Sequence, residues 1–132
     1  TMDVKDIRMM AHIASTHSGY NDRAKRTFHR LAKQYLEEIA HGLGLRDGQY
    51  SIRSNKAGVA CLGEVILHSD NLYVHLGGSI PRPEFYYRCV KGQKDYRGGL
   101  NTHMEYEKLT DIDAVVRVFQ NHIERNRFEW AS

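Results

Sequence analysis

The chain has little of what marks specialised small proteins. Among its 132 residues there are two cysteines, two prolines and one tryptophan. Cys61 and Cys89 are far apart in sequence, so they indicate neither a disulfide framework nor a zinc motif, and we expect both to be small buried side chains. No apolar run approaches the roughly 18 residues that a membrane span needs, and the N-terminus carries no apolar leader. We therefore expect a cytoplasmic protein that does not enter a membrane.

Motifs of the common catalytic, nucleotide and metal sites are also missing. The sequence contains no GxxxxGK[ST], GxGxxG or GxSxG pattern, and its eight histidines show no HxH or HExxH spacing. One alternative is that His68, His75 and Glu64 converge from neighbouring strands, although hydrogen-bonded histidines are the commoner case. We accordingly expect no catalytic residue, no metal ligand and no cofactor.

Composition is that of an ordinary folded domain, with 41% hydrophobic and 27% charged residues and a formal net charge of +3. The charge is unevenly distributed along the chain. Residues 22–33 contain five bases and one acid, whereas residues 105–113 contain four acids and one base. Such asymmetry is more typical of an oriented partner than of bulk charge.

The strongest pattern is an amphipathic stretch over residues 21–45. Its apolar residues recur at three- and four-residue spacing and share one face of a helix. Asn21 or Asp22 can cap the N-terminus, and Gly44 with Leu45 predicts a Schellman ending. The apolar stripe consists of Ala24, Phe28, Leu31, Ala32, Tyr35, Leu36, Ile39, Ala40 and Leu43.

The opposite face of this helix is basic in its first half, where a helix dipole favours acids. It carries Arg23, Lys25, Arg26, Arg30 and Lys33. A basic patch kept against the dipole indicates a surface for an anionic partner. The competing interpretation is a solvated face with no binding role.

Alternating patterns predict strands over 50–53, 59–68, 72–76 and 85–90, and a closing helix over 109–126 capped by Thr110. Turns between the strands are short, which favours an antiparallel meander. The predicted fold is α+β, a single domain ordered helix, four-stranded antiparallel meander, helix, with both helices packed on one face of the sheet. The domain spans 21–126. Residues 1–20 are expected to be an N-terminal extension, partly a cloning remnant or a loop, and 127–132 a tail in which Trp130 docks or frays.

Alternation assigns the two faces of the predicted sheet. The inward rows are Leu72, Val74 and Leu76 with Phe85, Tyr87 and Cys89, and the outward rows hold Arg53, Tyr73, His75, Tyr86 and Arg88. Aromatic and arginine side chains on a sheet are typical of single-strand binding. They also fit a half-exposed face with no ligand or a homodimer interface, to which Leu62 or Ile66 would add apolar area if either pointed outward. We place self-association ahead of base stacking, because twofold pairs are the commonest assembly. For strand 59–68 the parity stays open, because both of its faces are apolar.

Residues 91–101 predict a mobile cationic loop. The binding candidates in it are Lys91, Lys94, Tyr96 and Arg97, beside glycines that let a phosphate or acidic surface approach. Asp95 with Lys94 and Tyr96 offers acid–base chemistry, although no pattern positions these groups. Residues 15–20 have hydroxyls and a glycine before a helix, which suits either an anion or an ordinary helix entry.

Three segments resemble stretches of small uncharacterised proteins carried by bacterial plasmids and other mobile elements. They read THSGYNDRAKRTFH from Thr16, IRSNKAG from Ile52 and KDYRGGLN from Lys94. The resemblance covers much of the chain after Thr16 and implies a bacterial accessory protein. It transfers no catalytic residue and favours a binding module.

The sequence thus predicts a non-enzymatic binding module that presents a basic helix face and a Gly/Lys/Arg loop to nucleic acid or an acidic protein. One alternative is a homodimeric small-ligand-binding protein, and another is a small enzyme. In both, the pocket would lie between residues 15–20 and 91–101, and a pocket that holds Tyr96, His17 and a carboxylate would favour the enzyme.

Overall fold

The computed structural model describes residues 1–16, 21–58, 61–79 and 82–131. Two helices come first, five strands follow, and a 3₁₀ helix with a third α-helix closes the chain. The helices are α1 (Val4–Ser15), α2 (Asp22–Gly42) and α3 (Ile112–Ala131), with the 3₁₀ helix at Tyr106–Thr110. The strands are β1 (Tyr50–Asn55), β2 (Cys61–Ser69), β3 (Leu72–Ser79), β4 (Arg82–Cys89) and β5 (Thr102–Met104). The predicted α+β class is confirmed.

The strands form one antiparallel sheet in the order β1-β2-β3-β4-β5. The meander is therefore one strand longer than the predicted four, since β5 adds a three-residue edge. A loop was predicted over 77–83, whereas β3 continues to Ser79 and β4 begins at Arg82. Pro83 is tolerated in β4 because the described pairing of β5 covers only Phe85–Tyr87, so Pro83 pairs on one side only.

A β-bulge in β2 settles the parity that the sequence left open. The register shifts between Cys61 and Gly63, and Gly63 has φ +80°. A Cβ at Gly63 would collide with the backbone oxygen of Asn55, so glycine is required there. As a result Leu62 is buried in the core, whereas Glu64 and Ile66 face the other side of the sheet.

All three helices pack on one face of the sheet and share a single core with its inward rows. Leu72, Val74, Leu76, Phe85 and Tyr87 belong to that core, as the alternation predicted. Cys89 is also buried. The other face of the sheet carries no helix among the described residues.

Helix α2 follows the sequence pattern closely. Asn21 Oδ1 accepts hydrogen bonds from the backbone N–H of Arg23 at 2.9 Å and of Ala24 at 3.3 Å, which caps the helix. At the other end Gly44 has φ +76°, and the Leu45 N–H donates to the Ala40 carbonyl at 2.9 Å. This is the predicted Schellman ending.

Helix α1 was not predicted, because residues 1–20 were expected to be an extension or a loop. Asp3 accepts a hydrogen bond from the Lys5 N–H at 2.9 Å and caps the helix. Ile7, Met10 and Ala14 lie one turn apart and are buried in the core. A stripe of so few apolar side chains is a weak sequence signal, yet it fits the apolar surface that α2 exposes.

The closing helix begins later than predicted. Leu109 and Thr110 lie in the 3₁₀ helix, and the Asp111 carboxylate accepts from the Ala114 N–H at 3.1 Å. Asp111, rather than Thr110, therefore caps α3. The side chain of Trp130 lies outside the described residues. Across the described part of the chain, no helix is long and apolar enough to cross a membrane.

Substitution of Leu36 tests whether the apolar stripe of α2 is packed in the core. Its side chain is fully buried, at 0% exposure, so Leu36→Ala should lower the free energy of unfolding by about 2–5 kcal/mol. The neighbouring exposed Gln34 supplies the control, since Gln34→Ala should change it by less than about 0.5 kcal/mol. Urea unfolding measures both. A loss below about 1 kcal/mol for Leu36→Ala would contradict the packing.

Candidate functional site

The helix-free face of the sheet, called here the open face, presents three rows of side chains. Strand register places them across the sheet from β1 to β5. The first row is Ser51, His68, Tyr73 and Arg88; the second is Arg53, Ile66, His75, Tyr86 and His103; the third is Asn55, Glu64, Gly77 and Glu84. The outward residues predicted from alternation therefore do share one face.

Arg88 joins the open face to the loop that follows β4. Its guanidinium carbon lies 3.9 Å from the centroid of the Tyr73 ring. Its Nη2 donates to the Tyr96 carbonyl at 2.9 Å and its Nη1 to Asn101 Oδ1 at 3.1 Å. One side chain thus holds both the middle and the end of the loop against the sheet.

The loop over residues 91–101 has its own internal framework, built on Asp95. Asp95 Oδ1 accepts from the N–H groups of Arg97 at 3.1 Å and Gly98 at 2.8 Å, while Oδ2 accepts from Lys91 N–H at 3.0 Å. These bonds favour the ionised carboxylate and lower the pKa of Asp95. The sequence predicted a mobile segment, but hydrogen bonds fix its backbone shape.

Two further contacts dock the loop on the sheet. His68 Nε2 donates to the Gly92 carbonyl at 3.0 Å. Gln93 Nε2 donates to the Gly48 carbonyl at 3.0 Å and to Asp70 Oδ1 at 3.1 Å. The loop therefore lies at the end of the sheet where β2 turns into β3.

Tyr96 is the exposed aromatic side chain of this region, with 56% of its surface accessible. Its ring meets the His68 ring edge-on at 5.3 Å between centroids. The Arg53 guanidinium carbon lies 5.1 Å from the ring centroid. The ring is thus held in place by two neighbours while much of it remains open to solvent.

Charges divide along the open face. Arg53 and Arg88 lie next to the cationic loop, whereas Glu64 and Glu84 occupy the row nearest the opposite end. The cationic end, as the term is used below, comprises Arg53, Arg88, Lys91, Lys94 and Arg97 around Tyr96. The acids closest to it are Asp95, whose oxygens accept three backbone N–H groups, and Asp70.

His75 separates the two charged regions. It is buried and stacks on Tyr86 with 4.3 Å between ring centroids. The Glu64 and Glu84 carboxylates lie 3.5 Å and 3.9 Å from its ring nitrogens, beyond good hydrogen-bond distance. Burial, with smaller contributions from Arg88 and His103, lowers the pKa of His75 to about 4, so the ring is neutral at neutral pH.

The basic residues of α2 lie on a different surface. Arg23, Arg26, Arg30 and Lys33 are exposed, and Arg26 pairs with Asp22. Lys25, which the sequence assigned to the same exposed face, is instead buried and donates through Nζ to the Gly58 carbonyl at 2.6 Å. Helical spacing itself places Lys25 on the buried face, three residues before Phe28 and seven before Ala32, and its charge led to the wrong assignment.

The two basic groups predicted from the sequence do not form one surface. Helix α2 packs on the side of the sheet opposite the open face, and its first turns lie near Gly58, after β1. The loop contacts Gly48, before β1, and therefore lies at the other end of that strand. A ligand on the cationic end cannot also cover the basic face of α2 without wrapping around the molecule.

Residues 15–20 and 91–101 line different cavities where both are described. The loop, β4 and α3 surround a cavity of about 730 Å³, whereas Ser15 lines a separate cavity of about 390 Å³ beside Tyr106. His17 lies outside the described residues. Tyr96 lines neither of these two cavities, and Ser15 lines the second alone.

The histidines with a described role are hydrogen-bonded or stacked. Inside the core, His29 Nε2 donates to the Leu62 carbonyl at 2.8 Å, and its Nδ1 lies 2.7 Å from Ser54 Oγ. Glu64 approaches His75, but His68 is turned toward Gly92 instead. Over the described ranges, no three His, Cys, Asp or Glu side chains are arranged to hold a metal ion.

Sequence reasoning missed the partners that organise this site. It did not identify Asn101, His68 or Gln93 as side chains that fix the loop, and it treated Asp95 as an acid–base candidate. An aspartate followed three residues later by glycine is a turn signal, and that signal was present at Asp95 and Gly98.

Comparisons with protein-family models, curated proteins and solved structures found no match.

The buried histidine predicts how stability depends on pH. The folded-state pKa of His75, about 4, is below the ordinary value of 6.5, so the unfolded chain takes up a proton in this interval and the folded chain does not. The folding stability that the neutral His75 ring contributes is fully present above pH 6.5 and is lost as the pH falls toward 4. Between about pH 7 and about pH 5 the free energy of unfolding should fall by about 2 kcal/mol from this residue.

Urea unfolding of wild type and His75→Gln at both pH values measures this contribution. The variant should lose less stability on acidification than the wild type, whatever its stability at neutral pH. His41→Gln, at an exposed position on α2, is the matched control and should keep the full dependence. An identical loss in His75→Gln and wild type would contradict the assignment.

Proposed function

We propose that the chain is a non-enzymatic binding module of a bacterial accessory or mobile-element protein, and that it binds single-stranded nucleic acid at the cationic end of the open face. The observation that carries the proposal is the Tyr96 ring, which is 56% exposed yet fixed between His68 and Arg53. A pre-oriented aromatic ring beside cations is what an unpaired base with its flanking phosphates requires.

The energetics favour a ring held in advance. Stacking of one base on an aromatic side chain contributes about 1–3 kcal/mol, and it is greatest when the ring does not have to be ordered on binding. Arg53 and His68 already restrict the Tyr96 side chain. The Arg88 hydrogen bond to the Tyr96 carbonyl restricts its backbone.

Electrostatics add attraction for a polyanion in general. Lys91, Lys94 and Arg97 are exposed on the loop. Asp95 offsets one of these charges, but its oxygens are turned toward backbone N–H groups of the loop. A duplex could use the cations but not the ring, because its bases are stacked internally, so single strands should bind more tightly.

Self-association through the open face has less support. Ile66 does point to this face, as one interpretation of the sequence required, but it is buried against Tyr73, Val90 and Tyr86. An obligate dimer interface needs a larger exposed apolar area. An acidic protein partner remains the alternative ligand for the same cations, and absence of nucleic-acid binding would favour it.

Two matched double variants test which basic surface binds. Lys94→Gln/Arg97→Gln removes two exposed charges from the loop, and Arg23→Gln/Arg30→Gln removes two exposed charges from α2. The loop variant should weaken binding to a fluorescent single strand and flatten the dependence of log K on log salt by about 0.7 for each lost phosphate contact. The α2 variant should leave both quantities near the wild-type values.

Fluorescence anisotropy at several salt concentrations provides the measurement, with a duplex of the same sequence as a second ligand. Both variants should unfold at wild-type urea concentrations, because every substituted side chain is exposed. Weaker binding in the α2 variant alone would move the site to that helix. Wild-type protein that binds no strand at low salt would exclude nucleic acid.

A further inference from the structure

A second candidate site lies on the other side of the loop. The loop passes around the end of β4, and its inner side encloses a cavity of about 730 Å³ with β4 and the C-terminal half of α3. Small-molecule sites in proteins measure roughly 300–1,000 Å³, so this cavity has the size of such a site. None of the contacts that fix Tyr96 on the open face involves α3.

Two cations line the cavity from different elements. Lys91 comes from the start of the loop and Arg125 from α3, and both are exposed. Within the described residues neither has a carboxylate within ion-pair distance, whereas Arg127 on the same helix pairs with Glu124 at 4.0 Å. Their charge is therefore available to an anion entering the cavity.

The acidic side chain in the cavity wall already accepts several hydrogen bonds. Asp95 also lines the cavity, and its carboxylate accepts the N–H groups of Lys91, Arg97 and Gly98. Two cations therefore face one carboxylate whose oxygens are occupied, and the local charge stays positive. An anionic group is the ligand charge that this arrangement favours.

The remaining wall combines apolar side chains with three polar ones, namely Thr102, His122 and Asn126. Tyr87 on the inner face of β4 lines the cavity with 5% of its surface exposed, and Leu100 lies at the cavity with 88% of its surface exposed. A leucine so exposed gains by being covered. Gly98 and Gly99 form the adjoining wall.

We propose that this cavity binds a small organic anion, in which one carboxylate or phosphate joined to a planar ring is held between Lys91 and Arg125 with the ring against Tyr87 and Leu100. Carboxylate and phosphate share the chemistry that a guanidinium recognises, since both offer oxygens to its forked donors. The inference does not rest on the proposed single-strand function, because Lys91 alone is common to the two sites and Arg125 lies outside the cationic end.

A titration followed by NMR tests the site on the full chain labelled with ¹⁵N. Four probes distinguish binding of the anionic group from binding of the planar ring: a nucleoside monophosphate, an aromatic carboxylate, the uncharged nucleoside and inorganic phosphate. At least one of the first two should shift the amide signals of Gly98 and Gly99 saturably, and at least tenfold more tightly than inorganic phosphate or the nucleoside does. The stronger probe identifies whether phosphate or carboxylate is the preferred head group.

Variants then assign the cations. Arg125→Gln should lower the affinity for the more tightly bound probe at least tenfold, and Lys91→Gln should do the same. Arg117→Gln, at another exposed position of α3 outside the cavity, should have no effect. Absence of saturable shifts with every probe, equal binding of inorganic phosphate, or wild-type affinity in Arg125→Gln would each overturn the proposal.

The two proposed activities can fail separately. Arg125→Gln should bind a single-stranded oligonucleotide as the wild type does, since its side chain is not part of the cationic end. Saturable binding of a small anion by a chain that binds no oligonucleotide would leave the cavity proposal standing and remove the other. Equal weakening of both ligands by Arg125→Gln would mean one shared site and would contradict a separate cavity.

Discussion

The Asp95 carboxylate accepts hydrogen bonds from three backbone N–H groups of the loop that follows β4. Both candidate sites depend on it. On one side of the loop the bonds keep Tyr96 where His68 and Arg53 can hold its ring, and on the other they shape the wall of the cavity. A charged acceptor forms stronger bonds to N–H groups than a neutral one, which suits an exposed segment that has little apolar contact of its own.

Arg88 extends this framework to the sheet. It lies over the Tyr73 ring and donates to both Tyr96 and Asn101, so the loop is fastened to a rigid strand. Binding groups on a loop carried by a rigid scaffold are a common arrangement, because the scaffold limits the entropy lost on binding. The remaining centre of the open face is covered by its own side chains, with His75 stacked under Tyr86.

Much of the fold was predictable because its signals are periodic. The stripe of α2, its caps and the inward rows of β3 and β4 follow from spacing alone, since a helix and a strand impose different periods. The bulge at Gly63 was not predictable, because both faces of β2 are apolar and the shift depends on close contact with the Asn55 backbone. Helix α1 was missed since its stability comes from packing on α2 and not from its own pattern.

The candidate site was predictable in its parts but not in their arrangement. Tyr73, Tyr86, Arg88 and the loop residues were identified by type, yet the sequence joined the loop to the α2 bases, which lie on the other side of the sheet. Lys25 shows the limit most clearly, because a long side chain on the buried face of a helix can still carry its ammonium group to a distant backbone carbonyl, here that of Gly58. Contacts distant in sequence decide such cases.

Photo-crosslinking tests the central claim most directly. A single strand carrying a photoreactive uracil is irradiated on the wild-type chain, and the attached peptide is identified by mass spectrometry. We predict attachment at Tyr96, with loss of the product in Tyr96→Ala and not in Gln34→Ala, which changes an exposed side chain of α2. Attachment within α2, or an unchanged yield in Tyr96→Ala, would contradict the account.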